Sequence, residues 1–438
     1  MSLGGLLRRT LYWTNDYFHG SPVGKHYREI KYVMNNHNDG IYKQRESLDN
    51  LLSYAVENCQ FYDQYDPKNI ESFPVVNKNI LIANHDKVAV IAEKIPEQKT
   101  EKIHVQRTSG STGTPFAVPQ DTRKRNRRIA ELKHFGTIAG FKSHERLGQC
   151  RVWTKWQSKS KKQQFTENIL AINISKMDEQ TVKNLVETVK KRKVVALLGY
   201  ANWFDQVALY LSKHPTILPL SSLKVIFTGS EMLKDQTRQE LKRLIGCHVL
   251  ERYSNEEQGI LGQQSIDGGT EYYLNHASYY FEVLKLDEDK PAEEGELGRI
   301  VITDLFNYAF PLIRYDTGDT AIMSYAGNDI SKGWPYFSKL YGRRLDLIFD
   351  TQGSPVQPMA LARVLKNLQG IVQWQFVQTD EKEYRIRLNM EEAVGTEDCM
   401  KELKKILGED ANISIELVDE IPILASGKRK PVVNEWKK

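Results

Sequence analysis

The residues best placed to do chemistry lie in Arg107–Pro115, RTSGSTGTP, which sets two glycines and a proline among five hydroxyl-bearing side chains. Such a stretch forms neither a helix nor a sheet ladder. Gly110 and Gly113 permit positive φ, so successive backbone N–H groups can face one side. Thr108, Ser109, Ser111, Thr112 and Thr114 add hydroxyl donors, and the resulting nest suits phosphate oxygens. A flexible Gly/Ser turn has the same composition, and the loop alone does not choose between the two. It is not a Walker loop, because no Gly-Lys-Ser/Thr ends it.

Four further stretches carry reactive or charged groups at close spacing: ERYSNEEQG (Glu251–Gly259), RYDTGD (Arg314–Asp319), GRRLD (Gly342–Asp346) and IPILASGKRK (Ile421–Lys430). Each has an ordinary reading when taken alone. Tyr253 could be a buried strand-end tyrosine, with Glu256 and Glu257 facing solvent. D-T-G-D is good turn chemistry around Asp319. Arg343 could be a surface arginine in a linker, and Gly427–Lys430 a basic surface loop.

The elements around them follow from periodicity. Residues 1–60 read as helical, with apolar positions three and four apart in YREIKYVM and LDNLLSYAVENC. The opening MSLGGLLRRTLYW is mildly amphipathic; it reads as an ordinary first helix, with membrane-surface contact as the alternative. Pro74 makes Ser72–Val76 a short extended piece, and after the hydroxyl-rich stretch Phe116–Val118 reads as a strand. Asp121 can cap the helix TRKRNRRIAELKHFGTIAG, whose basic run Arg123–Arg128 reads as a solvated face. Gln157–Gln164 has the composition of an exposed loop. From Ser175 helices alternate with the strands VVALLGY, LKVIFTG and HVLERY, which predicts βαβ units and a parallel sheet. Ligands of open α/β sheets sit beyond the carboxyl ends of strands. Here those ends are Gly199–Tyr200, Gly229-Ser230-Glu231 and Ser254–Glu257, and Glu231 joins the cofactor-binding candidates on that ground. Strand-rich segments follow, and after Gly342 a hairpin (Val372–Gln378, Tyr384–Met390), a helix (Thr396–Leu407) and the strand ISIELVD compose a small α+β domain.

Composition bounds the class. A chain of 438 residues suggests two or more domains. The formal net charge of +5 is modest for that length; it permits an anionic ligand without calling for nucleic acid. Aromatics are not interleaved with the basic runs as in stacking platforms. The four cysteines form no CxxC pair, which argues against a disulfide framework and favours a reducing, cytoplasmic setting. No apolar run is long enough to cross a bilayer.

The five stretches, in this order and spacing, resemble the adenylate-forming superfamily of acyl/aryl-CoA ligases. Within it the chain looks most like the phenylacetate-CoA ligase branch and the CapK-type proteins of polysaccharide gene clusters. The resemblance implies a large N-terminal α/β adenylation domain (1–341), with mostly parallel sheets and a β-rich subdomain, and a small mobile C-terminal α+β domain (342–438). It implies ATP and Mg²⁺ as cofactors, a carboxylate activated as acyl-AMP, and a thiol (coenzyme A) or amine acceptor. The loop at Thr108–Thr114 would hold the β- and γ-phosphates. Glu257, with Glu256 as the neighbouring alternative, would take Mg²⁺. Tyr253 would lie against adenine, with Ser254 and Asn255 lining its edge. Asp319 would accept the ribose hydroxyls, Arg343 would contact ribose or phosphate, and Lys428 would be the catalytic lysine, with Arg429 and Lys430 close by.

Two departures matter. Gly262–Asn275 contains no cysteine and no histidine, where many phenylacetate-ligase relatives carry a Cys/His set, so no zinc site is expected. The hinge position that often holds aspartate reads Leu345. Alternatives of other classes are a nucleotide-binding protein without turnover and, more remotely, a nucleic-acid binder. A homodimer is compatible with the sequence, and Trp153, Trp156, Tyr200, Trp203 and Phe204 are aromatics that could line an acyl pocket.

Overall fold

The computed structural model describes residues 3–98, 103–107, 116–151, 153, 159–175, 178–215, 219–229, 233–343, 348–356, 358–365, 368, 371, 373–390, 396–421 and 432–436, with the side chains of 343, 358, 359, 362 and 363 left out. The chain opens with helices α1 (Leu3–Phe18), α2 (Pro22–Asn35) and α3 (His37–Asn58), then the short α4 (Lys78–Ala83) and α5 (His85–Val88). Strands β1 (His104–Arg107) and β2 (Ala117–Gln120) pair antiparallel, with Arg107 opposite Ala117. In sequence the hydroxyl-rich stretch lies between these two strands. Asp121 then caps α6 (Thr122–Ile138) by accepting the Lys124 N–H at 2.7 Å.

The alternating region folds as its periodicity predicts: β3 (Leu147–Arg151), α7 (Lys161–Glu167), β4 (Ile169–Asn173), α8 (Glu179–Arg192), β5 (Ala196–Tyr200), α9 (Ala201–Lys213), β6 (Val225–Gly229), α10 (Asp235–Ile245) and β7 (His248–Asn255). Strands β4, β3, β5, β6 and β7 lie side by side and parallel. Their helices bury Val182, Leu185, Val207 and Leu211 against the sheet in one apolar cluster. Part of the stretch expected to be an exposed loop is helix α7. Its start is fixed by a capping box in which the Ser160 hydroxyl accepts the Gln163 N–H, and the Gln163 side chain accepts the Ser160 N–H.

The strand-rich region continues the same sheet. At β7 the pairing turns antiparallel and runs through β8 (Gly259–Gln263), β9 (Tyr272–Leu274), β13 (Tyr336–Arg343), β12 (Tyr315–Ser324), β11 (Leu297–Asp304) and β10 (Tyr279–Leu284), making eleven strands. The C-terminal region has a sheet of its own. Strands β14 (Ile348–Phe349) and β15 (Pro355–Val356) precede α11 (Pro358–Leu365), β16 (Gln373–Gln378), β17 (Glu383–Asn389), α12 (Thr396–Leu407), β18 (Asn412–Leu417) and β19 (Val432–Asn434). Strands β18, β17, β16 and β19 form a four-stranded sheet over a core of Leu361, Phe376, Ile386, Leu403 and Leu407.

The basic run of α6 is not a solvated face. Lys124 and Arg127 are fully buried. Lys124 pairs with Asp304 at 2.7 Å, and Arg127 meets Glu29 at 3.1 Å while lying 3.7 Å from the Phe306 ring centroid. Three- and four-residue spacing turned one side of these charges inward, where buried charge persists only when partnered.

Candidate functional site

The stretch ERYSNEEQG folds as the end of β7, a turn at 256–258, and the start of β8. Asn255 and Gln258 close the turn: Gln258 N–H donates to Asn255 Oδ1, and Asn255 Nδ2 donates to Gln258 Oε1, both at 2.8 Å. Gly259 takes φ 124°, a conformation that L side chains rarely adopt. The two adjacent carboxylates thus sit at the carboxyl end of the last parallel strand, beside the ends of β3, β5 and β6, where open α/β sheets build their sites.

Residues remote in sequence hold this turn by its backbone. Gln120, at the end of β2, donates to the Glu257 carbonyl at 2.9 Å. Arg128 on α6 donates to the Glu256 carbonyl at 3.0 Å, and Tyr279 to that of Gln258 at 2.7 Å. The partner strand β1 reaches the same turn, Gln106 donating to Glu256 Oε2 at 2.5 Å. Arg151, at the end of β3, is 3.7 Å from Glu256 Oε1. The Tyr315 hydroxyl donates to Glu257 Oε1 at 3.5 Å. The strands on either side of the hydroxyl-rich stretch therefore both flank the glutamate pair. Gln106, Gln120 and Tyr279 were not singled out in the sequence; a glutamine within a strand leaves no signal of where its amide will land.

Asp319 lies in β12 rather than in a reversing turn. Gly318 has φ 75°, and the pairing with β11 slips between Arg299 and Val301, so D-T-G-D is a bulge. Gly318 N–H donates to Asp316 Oδ1 at 2.8 Å and Asp319 N–H to Thr317 Oγ1 at 3.2 Å. Tyr253 is buried and donates its hydroxyl to Asp319 Oδ2 at 2.9 Å. Ser254 is exposed and Asn255, Glu256, Glu257 and Asp319 are half-buried. The β12–β13 register sets Arg343 directly across from Asp319. Arg314, at the head of RYDTGD, serves the fold: it is buried, pairs with Glu282 at 3.0 Å and donates to the Phe73 carbonyl at 3.0 Å.

Tyr253, Ser254, Asn255, Glu256, Glu257 and Asp319, with the backbone of Arg343, are thus gathered in one place. Thr108, Ser109, Gly110, Ser111, Thr112, Gly113, Thr114, Glu231 and Lys428 lie outside the described residues. Of the aromatics considered for an acyl pocket, Trp203 and Phe204 are core residues, and Trp153 donates its indole N–H to the Ile172 carbonyl at 3.1 Å.

Comparison with known proteins agrees with this architecture. Residues 348–435 match the CapK C-terminal domain. The chain is similar to protein CapK of Staphylococcus aureus, at 24% identity over 94% of this chain and 93% of that one. It is also similar to the phenylacetate-coenzyme A ligase of Thermus thermophilus, at 22% identity over 75% of this chain and 76% of the relative. Among solved structures, 2-hydroxyisobutyryl-CoA ligase in the postadenylation state, in complex with R3-HIB-AMP, superposes with a TM-score of 0.66. There the identity is 17%, and 89% of this chain and 88% of that one are covered. In sequence the chain is thus similar to CapK and to phenylacetate-CoA ligase, and its fold is that of adenylate-forming CoA ligases.

Proposed function

We propose that this chain activates a carboxylate with ATP and Mg²⁺, forming an acyl-AMP, and passes the acyl group to a thiol or amine. The observation that supports this best is the Tyr253–Asp319 hydrogen bond, made beside a glutamate turn that both stems of the hydroxyl-rich loop flank. In this reading a carboxylate oxygen attacks the α-phosphorus, the bond to the bridging oxygen breaks, and pyrophosphate leaves. The acceptor then attacks the acyl carbon, AMP leaves, and the acceptor gives up a proton.

Each residue has a role its chemistry fits. Asp319 accepts the ribose hydroxyls, because an ionised carboxylate accepts several hydrogen bonds and donates none. Tyr253 places its ring against the adenine, with Ser254 and Asn255 at the edge. The loop at Thr108–Thr114 donates to the outer phosphates, with Glu231 at the neighbouring strand end and Arg343 at the ribose or phosphate. Glu257, aided by Glu256, would hold Mg²⁺, a hard cation that keeps waters and can make do with one or two carboxylates; when bound it offsets phosphate charge. Lys428, brought by a mobile C-terminal domain, sets its ammonium near the α-phosphate. At about 4 Å and an effective dielectric near 20, such a contact is worth roughly 4 kcal/mol before desolvation.

Coenzyme A is the default acceptor of the branch. The similarity to CapK supports a second outcome, an acyl or amide group placed on a sugar in capsule or O-antigen synthesis. The test is acid-dependent ATP–pyrophosphate exchange over a panel of carboxylates, followed by trapping with coenzyme A, ammonia or an amino sugar in parallel. Exchange that Lys428→Ala abolishes and Asp319→Ala weakens through the KM for ATP supports the reading. ATP binding without exchange across the panel would instead support a nucleotide-binding protein without turnover.

A further inference from the structure

Helix α1 turns its apolar arc away from the protein. Leu3, Leu6, Leu7, Leu11, Tyr17 and Phe18 are all exposed, Leu3 to 84% and Phe18 to 78%. At 3.6 residues per turn these six side chains share one sector of about 140°. The inward side carries Gly5, Tyr12, Trp13 and Asp16, with Trp13 packed on an apolar cluster. Asp16 is buried and accepts the backbone N–H groups of Val23 and Gly24 at 3.0 and 2.9 Å, which anchors α1 to the start of α2. Thr10 and Thr14 also lie in this sector, and a mainly apolar exposed face of this kind marks a surface that something covers.

Charge identifies the cover. Arg9 and Trp13 line two adjoining hollows. One is the groove along α1 with Leu6, Tyr17 and Phe18, and the other is a cavity of about 190 Å³ with Arg28, Lys133, Thr137 and Ser143. Among the described residues neither Arg9 nor Arg28 forms an ion pair. Lys133 lies 3.9 Å from the Tyr12 ring centroid and 3.4 Å from Ser143 Oγ. The carboxylates facing it are Glu167 and Asp16. Glu167 is paired with Lys159 at 2.6 Å, and Asp16 is engaged by the α2 backbone. On the other flank Arg8 lies 4.4 Å from the Phe165 ring centroid, and Lys161 and Lys162 are exposed on the same helix as Phe165.

We propose that α1 is an interfacial helix that docks the protein on an anionic membrane. Its leucines and aromatics enter the boundary between headgroups and acyl chains, and lipid phosphates are taken by Arg9, Arg28 and Lys133. An apolar helix face bordered by cations is the pattern of such helices. No helix among the described residues is long and apolar enough to cross a bilayer, so the helix lies in the surface plane. A second copy of the chain fits less well. A two-fold interface brings the same patch against itself, and here that sets Arg8, Arg9 and Arg28 toward their own copies, with no exposed carboxylate on α1 to answer them.

The test sediments the full chain with vesicles of phosphatidylcholine alone and with vesicles containing about a third phosphatidylglycerol. Binding is expected to the anionic vesicles only and to fall at high salt, since each basic side chain near such a surface strengthens association about fivefold. Leu7→Glu/Leu11→Glu should abolish binding and Arg28→Ala should weaken it about fivefold. All three positions are exposed, and circular dichroism checks that the variants fold. Equal binding to both vesicle types, or wild-type binding by Leu7→Glu/Leu11→Glu, overturns the proposal. So does a dimer in light scattering that the double variant dissolves while vesicles are ignored. Tight binding of inorganic phosphate by a protein that ignores vesicles overturns it equally.

Discussion

The hydroxyl of Tyr253, on the last parallel strand, donates to Asp319 Oδ2 at 2.9 Å across 66 residues of sequence. That bond joins two motifs remote in sequence. Hydrogen bonds to charged groups contribute roughly 1.5–3 kcal/mol. Asp319→Ala should therefore raise the KM for ATP in pyrophosphate exchange about tenfold or more. Tyr253→Phe should raise it less, about three- to tenfold, because Asp319 keeps its own lone pairs for the ribose. An unchanged KM in both variants would remove Asp319 from the nucleotide site.

The glutamate turn is held by its carbonyls, so its support can be weakened without touching a carboxylate. Arg128→Ala removes the donor to the Glu256 carbonyl and Gln120→Ala the donor to that of Glu257. Each variant loses one hydrogen bond to the turn backbone, on the order of 1 kcal/mol, and each also breaks the bond from Arg128 to Gln120 Oε1. The expected outcome is a Mg²⁺ requirement for exchange raised about fivefold in either variant, with the KM for the carboxylate little altered. A Mg²⁺ titration superimposable on that of the parent would mean that the turn is held by other contacts.

Much of this was legible in the sequence. The βαβ alternation gave β5, β6 and β7 nearly to the residue, because helix and strand periods differ and each run was bounded by caps or glycines. The C-terminal helix Thr396–Leu407 was read to the residue for the same reason. What periodicity could not give was partnership. Lys124 and Arg127 have the composition of a solvated face, yet their spacing points them at Asp304 and Glu29. Strand β13 was missed because YFSKLYGR alternates weakly. D-T-G-D suits a turn as well as the bulge at Gly318, because a glycine with positive φ serves either.

The Lys124–Asp304 pair, fully buried on both sides, should dominate the stability of α6 against the sheet. Removing one member of a buried pair costs about 3–5 kcal/mol, because the other charge is left uncompensated, whereas replacing both by apolar groups is often near neutral. Lys124→Met should lower the urea midpoint markedly, and Lys124→Met/Asp304→Leu should recover most of the loss. If the double variant is no more stable than the single one, the pair is not what the α6 interface depends on.

Acid should weaken the fold. Burial holds His26 down to about 3, with Arg127 next in effect, and holds His134, His144 and His276 to about 4. These rings are neutral in the fold, while the unfolded chain protonates near 6.5. Below that pH the unfolded state binds more protons. Stability is therefore complete above about pH 6.5 and is lost as pH falls toward 4. Between pH 7.5 and 5 each such histidine should cost on the order of 1–2 kcal/mol. The urea midpoint should fall over that interval, and His134→Phe should flatten the slope. A midpoint independent of pH would show that these rings carry their protons in the folded state.

The glutamate turn runs into β8 through a residue whose backbone conformation suits glycine. Gly259 has φ 124°, and a Cβ there would stand 3.1 Å from Glu131 Oε2 and 3.2 Å from the Tyr279 hydroxyl. Both neighbours are fully buried, and Tyr279 also donates to the Gln258 carbonyl, so neither can retreat without loosening the turn. Gly259→Ala should cost about 1–3 kcal/mol of stability from backbone strain and should lower exchange activity by moving Glu256 and Glu257. Gly295 is the matched control: its φ is 80°, but nothing lies within 4 Å of its Cβ position. Gly295→Ala should show the strain cost alone, with exchange kinetics unchanged. Equal losses of activity in the two variants would separate the turn from the reaction.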